Sequence, residues 1–419
     1  MKTPLALAFC LFPILAPAAE NPPAPPETGL EFIDTSFENA SPVSWEIGTN
    51  GVIHVFLMYD HQRSSPNRAA GHFHFQLQAR PGSRLTLELR NLDNVWNGRP
   101  GSVAKELKAV VVSANGREWQ SVATRQLPEN RIQVDVEMPG PRLFVARLEP
   151  YRISDLDRFL SEIRPSPLVR IEAIGRTVEG RELEIVRVGD PAAPHRVFIR
   201  ARAHPWESGG NWVVHGLVER LLKDDADARA FRQRYCLYVM PMANKDGVAR
   251  GKTRFNSGGW DLNRAWDQPA PADLAPENHA LEQWLATMTA RGQRPDLGLD
   301  LHNDGYGKLH ISRPDVPTLE KYLADMARFE GLLRQHTWFT EGSTGSSFRN
   351  PGTLGDGWFE RFGIPAAVLE LNANWIEGKK KMPLGADWEE FGAGFARVFY
   401  EYFARSSGEA EKRPAASGG

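Results

Sequence analysis

Two short apolar runs, Val197-Phe-Ile199 and Leu297-Gly-Leu299, each lead into a polar segment that carries a histidine, His204 in one case and His302 in the other. Runs of this length closed by polar residues read as buried strands whose C-terminal ends deliver the histidine. In an open α/β sheet, groups that act together collect outside the carboxyl ends of the strands. The 98 positions between the two histidines are therefore no obstacle to their meeting. The chain from Asp155 onward supports such a sheet, because helical and strand patterns alternate there. Helical runs are expected over 211–222, 276–291, 316–335 and 388–404, and a strand over 236–242.

The preceding region is patterned differently. Residues 30–148 hold short alternating runs, such as Ile53-His-Val-Phe-Leu-Met58, Leu85-Thr-Leu-Glu-Leu89 and Ala109-Val-Val-Val112, separated by Asn-Gly and Pro-Gly turns. This is the pattern of an all-β sandwich. Within it, His72 and His74 alternate with Phe73 and Phe75, which predicts a polar outer face above inward phenylalanines. Trp45, Trp96 and Trp119 are read as core or interdomain packing.

A chain of 419 residues is too long for one ordinary core, so two domains are expected. Met1 to Ala18 combine one lysine, a short apolar core and a small-residue Ala16-Pro-Ala18 site, the composition of a signal peptide. The division that follows is a signal peptide over 1–18 and a proline-rich linker over 19–29. A β-sandwich over 30–150, a catalytic domain over 151–404 and a disordered tail over 405–419 complete it. Once the signal is removed only Cys236 remains, so no intramolecular disulfide can form. Export without disulfides predicts a periplasmic or secreted protein. The apolar core of the signal is too short to span a bilayer, and a net charge of −2 gives no support for nucleic-acid binding.

The chemistry rests on four segments. His204 and Glu207, spaced as His-x-x-Glu, together with His302 make a two-nitrogen, one-carboxylate set suited to Zn²⁺. Three protein ligands leave a fourth position open, as catalytic sites do. Glu370 stands inside the apolar run Ala-Val-Leu-Glu-Leu, where an unpartnered carboxylate is costly and a functional one is expected. Arg254 precedes Asn263 and Arg264 in a glycine-containing segment that reads as an anion-binding site.

With these residues in hand, the sequence resembles the zinc carboxypeptidase (funnelin) family, and within it the cytosolic carboxypeptidase branch. The resemblance is carried by His204-Pro-Trp-Glu207, by Arg254 with Asp261-Leu-Asn-Arg264, by Asp300-Leu-His302 and by Leu369-Glu370. It extends to the segment starting Leu143-Phe-Val-Ala-Arg and to Gly175-Arg-Thr-Val-Glu-Gly-Arg181, so that it covers roughly residues 30–403. It implies a mixed-sheet α/β catalytic domain behind the sandwich, with His204, Glu207 and His302 as zinc ligands. It further implies Glu370 as general base, Arg254 as oxyanion partner, and Asn263 and Arg264 as the grip on a substrate's terminal carboxylate. Two departures stand out. Trp206 occupies a place where the branch usually has glycine, and Phe348 falls where the family has a mobile tyrosine, which removes a hydroxyl donor. Asp356 lies in the stretch where the family lines its specificity pocket.

The function expected from this resemblance is hydrolysis of C-terminal residues from peptides with a free terminal carboxylate, by zinc-activated water and a glutamate general base. Two other readings compete with it. One is a zinc amidase or deacylase acting on N-acyl amino acids or cell-wall peptides. The other is a non-catalytic, zinc-retaining protein that binds peptides or glycans.

Overall fold

The computed structural model describes residues 27–404. The signal-peptide expectation for 1–18, most of the linker and the expected tail lie outside the described residues.

Alternating patterns in the first part of the chain fold as expected into two five-stranded sheets. One runs in the spatial order Leu30–Asp34, His74–Ala79, Arg142–Ala146, Ala109–Ser113 and Gln120–Ala123. The other runs Arg125–Leu127, Arg131–Glu137, Arg84–Arg90, Ile53–Leu57 and Val43–Ile47. Ile53, Val55 and Leu57 alternate inward to meet Phe73, Phe75, Leu77, Val110 and Val112 across the sandwich.

The outer face of the first sheet is not solvated, which corrects the expectation for His72 and His74. Both histidines are buried, and the His74 ring packs edge-on against Phe37 and Trp119. The physical reason is that this face lies against the second half of the chain. Val111 and Ala146 belong to the hydrophobic core of the second half, and the His72 N–H donates to Thr253 Oγ1 at 3.2 Å.

A small four-stranded sheet also grows from this part of the chain, made of Asp60–His61, Arg68–Ala69, Asp93–Trp96 and Arg99–Ser102. Its last two strands are joined by Asn97-Gly98, with φ of 50° and 71°. Two positive φ values are what a two-residue hairpin turn matched to the strand twist demands, and Asn-Gly is the pair best able to supply them.

The second half is a seven-stranded mixed sheet. Its spatial order is Val169–Arg176, Glu182–Val188, Tyr235–Met240, His195–Ala201, Leu297–Asp304, Ala366–Asn372 and Leu309–Ile311. The four strands beginning Tyr235, His195, Leu297 and Ala366 are mutually parallel, and all six residues of Tyr235–Met240 are buried. Parallel strands covered on both faces need such unbroken apolar runs. Helices Gly209–Leu222, Ala226–Arg234, Pro276–Ala290, Leu319–His336, Leu354–Phe362 and Gly385–Tyr402 cover the sheet, each predicted helix starting or ending within a few residues of its expected place.

Gly209–Leu222 and Gly385–Tyr402 cross with their backbones in contact. A Cβ at Gly216 would sit 2.0 Å from the Glu389 carbonyl oxygen, and one at Gly392 would sit 1.9 Å from that of Val213. Only glycine fits at both points.

Candidate active site

Sheet register fixes the first relation in the site. His302 and Glu370 are directly paired neighbours on adjacent parallel strands, and Arg200 is likewise paired with Asp300. Because side chains alternate along a strand, His302 and Asp304 share a face with Glu370. On the other side of the Glu370 strand, His310 is paired with Val368, which puts it on that face too. Asp304, His310 and Glu370 bring ligand-type atoms within 4.8 Å of one another.

His204 and Glu207 follow the His195–Ala201 strand, in the short segment before the helix Gly209–Leu222. Their donors converge with that of His302. His204 Nδ1 lies 2.8 Å from Glu207 Oε1, His302 Nδ1 lies 2.7 Å from Glu207 Oε2, and the two Nδ1 atoms are 3.2 Å apart. The outward nitrogens meet carboxylates, with His204 Nε2 at 3.1 Å from Asp261 Oδ1 and His302 Nε2 at 2.8 Å from Asp300 Oδ2.

This arrangement is the test of whether the residues suit a metal. If each Nε2–H donates to its aspartate, both Nδ1 atoms present lone pairs to the same point as the Glu207 carboxylate. Three acceptors facing one another at these distances are reconciled by a cation between them, and the nitrogen and oxygen donors suit Zn²⁺. All three residues are buried, so a charge held there is weakly screened.

The aspartates are themselves anchored. Asp300 receives Arg200 in a two-pronged pair, Nε to Oδ1 at 2.8 Å and Nη2 to Oδ2 at 2.5 Å, with neither side chain exposed. Burial raises the Asp300 carboxyl, but the charges of Arg200 and His302 together outweigh it and hold the group below the ordinary range. Asp261 receives Arg254 Nε at 2.8 Å on Oδ2, so one carboxylate ties His204 to a cation of the cavity wall.

The metal set opens into a cavity of about 320 Å³ whose walls include His204, Glu207, Arg254, Asn263, Arg264 and Glu370. Glu370 Oε2 is buried without a hydrogen-bond partner among the described residues. Burial holds this carboxyl well above the usual range, Asp304 and Glu207 adding to the effect while His302 and Arg254 oppose it. Asn263 Oδ1 accepts the Leu354 N–H at 3.0 Å, and the Asn263 carbonyl accepts Arg264 Nη1 at 2.7 Å, which orders the pair as a unit.

Seven of the sequence-predicted residues thus come together in or at one cavity: His204, Glu207, His302, Glu370, Arg254, Asn263 and Arg264. Phe348 and Asp356, expected to touch substrate, do not line it. Phe348 packs its ring on His310 at 4.7 Å between centroids. Asp356 sits in the first turn of Leu354–Phe362, where Thr353 Oγ1 accepts its N–H, and burial lifts its carboxyl above the ordinary value. An acidic residue in the first turn also suits the helix dipole. Tyr306 is 68% exposed on the turn that Asp304 closes. Trp206 is buried under the Arg147 guanidinium, which lies 3.5 Å from the indole centroid.

The sequence reading missed what the first part of the chain brings to this cavity: Arg68, Asn94, Trp96, Glu106 and Arg147 all line it. Trp96 lies 4.4 Å beneath the Arg254 guanidinium and 5.3 Å from that of Arg264. Its one visible sign in the sequence was the Asn97-Gly98 turn that follows it.

Residues 157–305 match the family model described as zinc carboxypeptidase. Among curated relatives, the chain is 35% identical to human cytosolic carboxypeptidase 4 over 144 residues, 34% of this chain and 12% of that protein. It is 33% identical to cytosolic carboxypeptidase 6 of Caenorhabditis elegans over 175 residues, 40% of this chain and 38% of that one. The chain thus spans well under half the length of these curated relatives. Among solved structures, its fold is similar to a metallo-carboxypeptidase from Burkholderia cenocepacia, with a TM-score of 0.74 and 24% identity over 88% of this chain and 98% of that one. It is similar also to a metallo-carboxypeptidase from Pseudomonas aeruginosa, with a TM-score of 0.75 and 22% identity over 89% of this chain and 100% of that one.

Proposed function

We propose that the protein is a hydrolase that removes single residues from the free C-terminus of peptides, a reading supported by the match of residues 157–305 to the zinc carboxypeptidase family model. One observation carries the reading. A convergent His204, Glu207 and His302 set opens into a cavity of about 320 Å³ that it shares with Glu370, whose Oε2 is unpartnered among the described residues, and with a wall of two arginines and one asparagine.

A zinc ion held by His204, Glu207 and His302 would supply Lewis-acid polarisation of the carbonyl and make water acidic enough to attack at neutral pH. The remaining work belongs to the chain. Glu370 accepts the proton of the attacking water and passes it to the leaving amine. Arg254, fixed by Asp261, meets the negative charge that develops on the carbonyl oxygen. Arg264 and Asn263 hold the terminal carboxylate, and that grip restricts cleavage to the last peptide bond. Asp300 and Asp261 keep the two imidazoles in one tautomer and orientation. The reading puts the mature chain in the periplasm or outside the cell, on the strength of residues 1–18.

The experiment is incubation of zinc-loaded protein with a mixed peptide library beside its Glu370→Gln variant, read by mass spectrometry. Stepwise loss of single C-terminal residues, absent in the variant while its zinc content stays the same, is expected. Wild-type protein that holds zinc and trims no peptide would overturn the proposal.

A further inference from the structure

The loop that bears Arg254 and Arg264 is held from the first part of the chain. Asp60 Oδ2 accepts the N–H groups of both Arg254 and Phe255 at 2.8 Å. The Arg63 N–H donates to the Gly259 carbonyl at 2.9 Å, and Arg63 Nε donates to that of Gly258 at 2.9 Å. Ser41 Oγ donates to the Gly251 carbonyl at 3.1 Å. Backbone position is therefore set by the small sheet and its neighbours. The guanidiniums remain to be aimed.

Arg254 and Arg264 carry like charges, and burial with Arg254 nearby lowers the Arg264 pKa while Asp261 opposes both. Asp261 binds Arg254 directly through Nε. Arg264 has no carboxylate within 4.0 Å among the described residues. What both cations share is the indole of Trp96, 4.4 and 5.3 Å from its centroid. The face of an indole attracts cations, and more so where water is thin.

Trp96 is built to stay where it is. It closes the two-residue hairpin, paired with Arg99 across the Asn97-Gly98 turn. The Asn97 N–H donates to Asn67 Oδ1 at 2.8 Å, Arg68 is paired in register with Val95, and the Arg68 guanidinium forms an ion pair with Asp93 at the start of the same strand. A rigid aromatic on a tight hairpin, projecting from a different part of the chain onto two substrate-facing arginines, has no core to fill.

We propose that Trp96 is a positioning residue of the carboxylate clamp: it holds Arg254 and Arg264 in their working orientations and so sets the preference for a free terminal carboxylate. The inference deepens the carboxypeptidase reading and rests on it. Loss of the indole leaves Arg254 with its Nε bond to Asp261 and Arg264 with its bond to the Asn263 carbonyl, and removes the one surface that holds the two guanidiniums together; this weakens substrate binding through Arg264 and transition-state stabilisation through Arg254. Restoring a ring with phenylalanine restores most of the attraction without the full face of the indole.

The test compares wild type, Trp96→Ala and Trp96→Phe, each zinc-loaded and checked for equal zinc content and thermal melting. Two substrates are used, a peptide with a free C-terminus and its C-terminal amide. For Trp96→Ala the expected result is a roughly tenfold rise in KM for the free acid, with kcat also reduced and the acid-over-amide ratio of kcat/KM falling by a similar factor. Trp96→Phe should recover the larger part of each. A merely structural role would lower kcat through the folded fraction and leave KM and the ratio unchanged, and that outcome overturns the proposal. Calorimetric titration with an N-acetyl amino acid separates this failure from failure of the carboxypeptidase reading. Even without turnover, Trp96→Ala should bind that free carboxylate roughly tenfold more weakly, and equal affinity for both proteins also overturns it.

Discussion

Replacing Asp300 with asparagine changes almost no volume and removes one charge from a place where nothing else can supply it. Arg200 is fully buried, and its other partners are the neutral Leu262 carbonyl at 3.0 Å and Asn278 Oδ1 at 3.2 Å. An asparagine retains one acceptor for the guanidinium, so shape is kept while the ionic pair is broken. Breaking a buried pair by neutralising one member costs roughly 3–5 kcal/mol, because the surviving charge is left without a partner in a weakly polarisable interior. For a chain of this size that corresponds to a drop of about 5 °C in Tm. The same change takes from His302 Nε2–H the carboxylate that orients it, and loss of such a partner weakens metal binding by roughly 10- to 100-fold. Urea titration of wild type and Asp300→Asn, alongside chelator competition for zinc, measures both effects. A stability loss under about 1 kcal/mol together with unchanged zinc affinity would refute the account of Asp300 as the bridge between Arg200 and His302.

Glu277 offers a pH test remote from the metal ligands. Burial pushes its carboxyl up to about 7 from 4.5 despite the Asn256 amide at 3.0 Å, so the folded protein keeps this proton over a range in which the unfolded chain has lost it. Its contribution is present in full below the unfolded value and is lost as pH rises from about 4.5 through about 7, amounting to roughly 3 kcal/mol. Glu277→Gln should flatten that slope in chemical denaturation across pH 4 to 8, and an identical slope in the variant would refute the assignment. Two glycine-to-alanine changes form a pair with opposite signs. Gly392→Ala forces a Cβ within 1.9 Å of the Val213 carbonyl oxygen and should cost roughly 1–3 kcal/mol. Gly331→Ala, where a Cβ meets nothing within 4 Å on an exposed helical face, should stabilise by up to about 1 kcal/mol. Equal melting temperatures in the two variants would contradict the close helix crossing.

What could be read from the sequence was local or periodic. The His204-x-x-Glu207 spacing, the apolar runs that end near His204 and His302, and a glutamate inside the Ala366–Asn372 run all carry their meaning within a few residues. The long helices announced themselves in the same way. What escaped depended on contacts between distant segments. His72 and His74 read as solvated because alternation reports that two faces differ, and it is silent on whether a second layer covers the polar one. Trp96 read as core or interdomain packing, and it does pack between the two parts of the chain, but its partners Arg254 and Arg264 could not be named because they lie over 150 positions away. Asp356 was assigned by the family resemblance alone, and its place in the first turn of Leu354–Phe362, behind the Thr353 cap, emerged only with the structure. Phe348 follows a glycine-rich loop whose length carries no structural pattern, so position along the chain said little about position in space.

The pairing of His302 with Glu370 in register has an evolutionary side. A ligand and the carboxylate beside it are held by main-chain hydrogen bonds between two buried strands, so their separation does not depend on the loops that follow. The 305–308 turn and the 342–352 segment can lengthen, shorten or change composition while the reacting groups keep their spacing. Selection acting on such loops could alter what enters the cavity by small steps, each tolerated because the register beneath is inherited unchanged. A lineage built on this frame would diverge in appetite long before it diverged in chemistry.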